Sequence, residues 1–218
     1  MDRTTGLEPD NGMDAYVYSP LTHPSAFRVL RLSAGSDQDK ASFTLEQRIV
    51  EDVGDYEALS YTWGDTTEKR PTICCNMSFN ITQHLFCALH HLRYADRERV
   101  IWIDAVCINQ ESIPERNQQV SMMGDIYKSA RQVVIWLGED WEGGDTVDVF
   151  DSVLYELSAN ERDEWMNRYS VPDYEDSLGD ERLWRSLEWL FGLPRFRHVW
   201  VLQEASSAIF MLGQQTLP

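Results

Sequence analysis

Between residues 56 and 138 the chain alternates short apolar runs with stretches of helical periodicity, and this alternation constrains the fold most. YEALSYTWGD (56–65) reads as a strand that stops at Gly64-Asp65, a turn signal. In QHLFCALHHLRYA, Leu85, Leu89 and Leu92 recur at helical spacing, and Thr82 is placed to cap that helix. RVIWIDAVCINQ (99–110) begins β-rich and ends polar. Ser112 followed by Glu115 forms a capping box, and Pro114 suits a first helical turn. The spacing then puts Val120, Met123, Tyr127 and Ala130 on one face of that helix. RQVVIWLGED (131–140) is a third apolar strand, ended by Gly138. Strand, helix, strand, helix, strand predicts a mainly parallel central sheet with helices on its faces and right-handed crossovers, hence an α/β fold.

Other segments add to this frame. FRVLRLSAG (27–35) and FTLEQRIV (43–50) alternate as half-buried strands do, and PTICCNMSFNIT (71–82) reads as a hairpin turning near Asn76-Met77. These are expected as antiparallel pieces at one edge of the parallel sheet. Residues 145–170 read as one or two acidic helices, 169–180 as a loop, and ERLWRSLEWLFGL (181–193) as an amphipathic helix ended by Gly192 and Pro194.

With 218 residues, 43% hydrophobic and 11% aromatic, the chain can bury one sizeable core. The expected organisation is a poorly ordered lead-in over 1–22 and a single domain over 23–218 with an acidic insertion at about 139–180. Net charge is −17, and residues 139–188 alone carry 16 Asp and Glu against four Arg. Such a chain repels nucleic acid and anionic membranes, and the acid run reads as a solvated insertion. No apolar run reaches the length of a membrane span, and the first residues lack a basic-then-apolar signal. The four cysteines form no C-x-x-C pair, which suits free thiols in a reducing cytoplasm.

In an open α/β sheet, ligands sit at the carboxyl ends of the strands. Those ends carry Trp63, Gly64 and Asp65, then Asp104 through Gln110, then Gly138-Glu139. Tyr61 and Trp63 can belong to the core or stack on a ligand. Asp104 can face a ligand or start a loop; Asn109 and Gln110 can bind ribose hydroxyls, although a turn-fixing role is the simpler reading. Further on, FRHVWVLQEASSAIF (196–210) places Glu204 four residues after Trp200, so both share a face in a helix or a strand. Glu204 can cap a helix, pair with Arg195 or Arg197, or act chemically. Arg195 and Arg197 can clamp a pyrophosphate or pair with the acidic segment. His84, Cys87 and His91 share a helical face, but three ligands on one helix make a poor zinc site, and no metal is expected. Cys107, with His198 as a base, is a weak nucleophile candidate, since a strand cysteine beside Val and Ile is usually inert core. No G-x-G-x-x-G, Walker A or G-x-S-x-G motif is present.

Three blocks in order, YEALSYTWGD, VIWIDAVCINQESIPERNQQVSMMGDIYKSARQVVIWLG and FRHVWVLQEA, resemble the fungal heterokaryon incompatibility (HET) domain from about Phe27 to Gly213. The resemblance implies a cytoplasmic cell-death effector of fungal non-self recognition, distantly similar to TIR domains and so TIR/flavodoxin-like in fold. Many TIR domains cleave NAD at the nicotinamide–ribose bond, with a glutamate four residues after a tryptophan. Trp200 and Glu204 have that spacing, with Val201 in place of the motif's cysteine. By this resemblance Glu204 is catalytic. Trp200, Trp63, Tyr61, Gly64, Asp65, Asp104, Asn109, Arg195 and Arg197 are then the substrate-binding candidates. NAD+ would be substrate rather than cofactor. Expected partners are further copies of the chain and an upstream incompatibility or NLR-type protein. The competing expectation is a non-enzymatic death-signalling module that works by self-assembly.

Overall fold

The computed structural model describes residues 12–36, 40–51, 54–139, 208–212 and 215–217. Nine strands, β1 (Ala26–Leu32), β2 (Ser42–Ile49), β3 (Glu57–Tyr61), β4 (Lys69–Cys74), β5 (Met77–Thr82), β6 (Arg99–Trp102), β7 (Gln132–Gly138), β8 (Ala208–Leu212) and β9 (Gln215–Leu217), form one sheet among the described residues. The helices are α1 (Gln83–Leu92), the single turn α2 (Asp104–Cys107) and α3 (Ile113–Ser129). In space the strands run β5-β4-β2-β1-β6-β3-β7-β8-β9. β6, β3, β7 and β8 are mutually parallel, which is the expected parallel centre. None of the described helices is long and apolar enough to cross a membrane.

The first strands and the hairpin lie where expected, as β5, β4, β2 and β1 along one side of the parallel centre, although β2 and β4 pair in parallel. β1 pairs antiparallel with both β2 and β6, so it lies inside the sheet and only Arg31 along it is half-buried rather than buried. The β4–β5 hairpin turns on Cys75-Asn76, one residue earlier than expected. Both have positive φ, 52° and 62°, the geometry that lets a two-residue turn match strand twist. The lead-in is held from Asp14 onward. Ser78 N–H donates to Asp14 O and Tyr16 N–H donates to Ser78 O, both at 2.9 Å, docking the arm on β5.

Alternation along the central strands sends side chains to two helices. Tyr61 and its neighbour Trp136 meet His84 and His91 of α1, while Trp102 and Tyr56 meet Tyr127 and the Ile126 carbonyl of α3. α1 forms as expected: the Thr82 hydroxyl accepts from Leu85 N–H at 3.3 Å, and Leu85, Leu89 and Leu92 are buried. α3 starts at its capping box, with Ser112 Oγ accepting from Glu115 N–H at 3.4 Å. Of the face expected, Met123, Tyr127 and Ala130 pack on the core, but Val120 is 56% exposed and its place is taken by buried Gln119, with Ile126 buried beside it. Gln119 faces inward because its side-chain amide donates to Ala26 O at 2.8 Å, satisfying a strand carbonyl.

Two ion networks lie at opposite ends of the strands. At the amino ends, buried Glu57 accepts from Arg99 at 2.5 Å and from Arg131 at 2.7 Å, and Arg99 also donates to Leu92 O at the end of α1. Near the carboxyl end of β6, buried Arg28 clasps Glu115 with both terminal nitrogens, at 2.5 and 3.2 Å. Arg28 further donates to Cys107 O at 3.1 Å and Ser19 O at 2.6 Å. Removing one member of such a pair strands a buried charge. Arg28→Ala is therefore expected to lower unfolding free energy by about 3–5 kcal/mol in urea denaturation. The double change Arg28→Met with Glu115→Leu recovers only part of the loss, because the Ser19 and Cys107 carbonyls remain without their donor. A loss below about 1 kcal/mol in the single variant would contradict the buried pairing.

Candidate functional site

The carboxyl ends of β3 and β6, adjacent and parallel, bring two of the sequence candidates into contact. The Trp63 indole N–H donates to the Asp104 carboxylate, at 3.1 Å to one oxygen and 3.3 Å to the other. Each arrives there by local geometry. β3 ends at Tyr61, and the chain turns at Gly64, whose φ is +68°. A Cβ at Gly64 would also approach the His84 Cβ to 3.1 Å, so both the backbone and the close neighbour favour glycine there. β6 ends at Trp102, Ile103 caps α2, and Asp104 opens it. The Asp104 carboxylate also accepts from Ala105 N–H at 2.7 Å, which orients one oxygen along the backbone. Asp104 is half-buried and Trp63 is 39% exposed, so the pair faces solvent at the sheet crest.

Tyr61 sits below this pair and is buried. Burial, then the Asp104 charge, holds its phenol well above the ordinary value, with Thr82 offsetting a little. Tyr61 is therefore a neutral floor to the crest. Asp65 turns instead onto its own loop, accepting from Thr67 N–H at 2.8 Å and the Thr67 hydroxyl at 2.6 Å. Those bonds hold its carboxyl below the usual range. Asn109 Oδ1 accepts from Glu111 N–H at 3.2 Å, and Gln110 Nε2 donates to Asp104 O at 2.9 Å, so both amides work within the turn. Glu204, Trp200, Arg195 and Arg197, like His198 and the acidic segment beyond Glu139, lie outside the described residues.

The residues of the rival readings are engaged elsewhere. His84 Nδ1 hydrogen-bonds Thr62 O, His91 stacks on Trp136 at 5.1 Å, and Cys87 Sγ accepts from Gln83 Nε2 at 3.0 Å. Among the described residues no cluster of three metal-ligating side chains is present. Cys107 is not on a strand but in α2, fully buried, with Ile103 N–H directed at its sulfur. Two residues that shape the crest, Tyr18 and Arg28, carry no motif that marks them. In the alternating run FRVLRL, Arg28 reads no differently from Arg31, which is half-buried.

The family model for heterokaryon incompatibility protein (HET) matches residues 56–204, most of the chain. The chain belongs to the heterokaryon incompatibility (HET) family. A curated relative, heterokaryon incompatibility protein 6, OR allele, of Neurospora crassa, is 32% identical over 178 residues. That match covers 73% of this chain but only 24% of the Neurospora protein, so the chain spans about a quarter of its relative's length. No solved structure matches. The HET match includes Trp63 and Asp104 and begins after Tyr18 and Arg28.

The thiols of this HET domain differ in access. Cys74 and Cys107 are buried, while Cys75 and Cys87 are partly exposed. Burial pushes the Cys107 thiol from 9.0 up to about 12. The folded state thus favours the neutral thiol. The stability this gives is complete below about pH 9 and is lost as pH rises toward about 12. Iodoacetamide at pH 8 on the native protein is expected to modify Cys75 and Cys87 and spare Cys74 and Cys107, as peptide mass mapping can read. The urea midpoint should fall from pH 8 to pH 10.5, and fall less in Cys107→Ala. Early labelling of Cys107 would contradict its burial.

Proposed function

We propose that this chain is the HET domain of a fungal cell-death effector in heterokaryon incompatibility, and that it is a TIR-like NAD glycohydrolase. The observation that carries the reading is the Trp63–Asp104 contact at the carboxyl ends of adjacent parallel strands. The strand order supports it: across the sheet the four parallel strands come second, first, third and fourth in chain order, so the direction of connection reverses between β3 and β7. A crevice for a nucleotide opens at such a reversal in flavodoxin-like sheets. The relative's printed name supports the biological role.

The chemistry needs few groups. Nicotinamide leaves a cationic pyridinium as a neutral molecule, so breaking the ribose C1′–N bond sends the electron pair to the ring nitrogen without a general acid. The ribosyl cation that develops is stabilised by one anion, the role given to Glu204. Water then adds its oxygen at C1′ and loses a proton to solvent. Asp104, oriented by Trp63 and Ala105, accepts from ribose hydroxyls. The exposed ring of Trp63 stacks on the base; by the resemblance, base stacking is also the role given to Trp200, and pyrophosphate binding the role given to Arg195 and Arg197. By the TIR resemblance, further copies of the chain complete the site.

Nicotinamide release from NAD+, run on dilute protein and on protein clustered by a fused oligomeric tag, tests the reading. Clustered protein is expected to release nicotinamide, Glu204→Ala to lower the rate about a hundredfold, and Asp104→Asn to raise KM about tenfold. No release above the Glu204→Ala control would sink the enzymatic reading and leave a module that signals by assembly.

A further inference from the structure

A single helical turn leaves its carbonyls without the partners that a longer helix provides. In α2, three of the four carbonyls accept from side chains, Asp104 O in addition to the Ile108 N–H at 3.3 Å. Asp104 O accepts from Gln110 Nε2 at 2.9 Å, Val106 O from the Tyr18 hydroxyl at 2.8 Å, and Cys107 O from Arg28 Nη1 at 3.1 Å. Tyr18 reaches α2 because the arm is anchored on both sides of it. Upstream, Asp14 and Tyr16 bond Ser78 of β5; downstream, Ser19 O accepts from Arg28 at 2.6 Å. The rings of Tyr16, Tyr18 and Phe79 meet edge-on with centroids 5.2, 5.8 and 6.1 Å apart, and the Arg28 guanidinium lies over Tyr18 at 5.0 Å. The ring is thus fixed by packing, and its hydroxyl is left to bond the turn that Asp104 opens.

We propose that the arm over residues 14–20 is a working part of the crest, with Tyr18 a positioning residue that fixes, through α2, where Asp104 meets Trp63. The family model begins at residue 56, so this contribution lies outside the matched span. The importance of the crest rests on the glycohydrolase reading; the positioning itself does not.

The test uses the whole chain with 15N-labelled tryptophan, the Trp63 indole resonance being assigned by its loss in Trp63→Phe. Tyr18→Phe keeps the ring and removes only the donor. The Trp63 indole N–H resonance is expected to move toward its position in Asp104→Asn. Amide hydrogen exchange at residues 106–108 should speed up roughly fivefold, and the melting temperature should fall by no more than about 4 °C. Tyr16→Phe, in the same ring cluster, should leave the resonance and the exchange unmoved. An unmoved Trp63 resonance in folded Tyr18→Phe overturns the proposal, as does an equal shift in Tyr16→Phe. Failure of Tyr18→Phe to fold also overturns it, because the hydroxyl would then serve stability rather than position. Neither readout involves a nucleotide, so a chain that releases no nicotinamide leaves this test intact.

Discussion

The Arg28 guanidinium, buried beneath the crest, ties together four segments that the chain visits at separate times. Taking such a charge out of water is costly, and the cost is offset only where its donors are matched. Here Glu115 takes two bonds in a fork, and the carbonyls of Ser19 and Cys107 take the others; Nε alone has no partner among the described residues. Because these partners belong to the arm, α2 and α3, none can shift independently without breaking a bond to a buried cation. Glu115 repeats the device from its own side. It stands three residues after the α3 cap, and it also accepts from Asn109 N–H at 2.8 Å. The loop between α2 and α3 is therefore pinned at both ends.

The two ends of the parallel strands solve opposite problems. At the amino ends, Glu57 is buried and wrapped by Arg99 and Arg131, so the polar groups there are consumed in holding β3, β6 and β7 together. At the carboxyl ends, Trp63 and Asp104 are held by each other and by one backbone amide, yet remain open to water. The candidate residues that the structure describes therefore gather at the crest, and the family match spans both ends of these strands.

Much of this was legible in the sequence where the cause is local. The α1 face, its Thr82 cap and the Ser112–Glu115 box follow from side chains within four residues of each other. Three features were not legible, each because its cause is distant. Gln119 takes the buried place expected for Val120 because a strand carbonyl 93 residues away needs its amide. Cys107 lies in a helical turn, although its neighbours read as strand, because Arg28 and Tyr18 satisfy carbonyls that would otherwise seek a sheet partner. β1 is buried, although it alternates like a half-exposed strand, because the face bearing Arg28 is covered by the arm, α2 and α3.

Alone, the sequence determined the family, the alternation of strands and helices, and the loops on which candidate residues fall, since these depend on periodicity, caps and motif order along the chain. It could not determine which of those residues meet. Trp63 and Asp104 are 41 positions apart, and Tyr18 is 88 positions from the carbonyl it bonds. Only the tertiary structure decided those contacts, because they are set by strand order and by the hydrogen bonds that buried carbonyls and charges must find, wherever in the chain the partner lies.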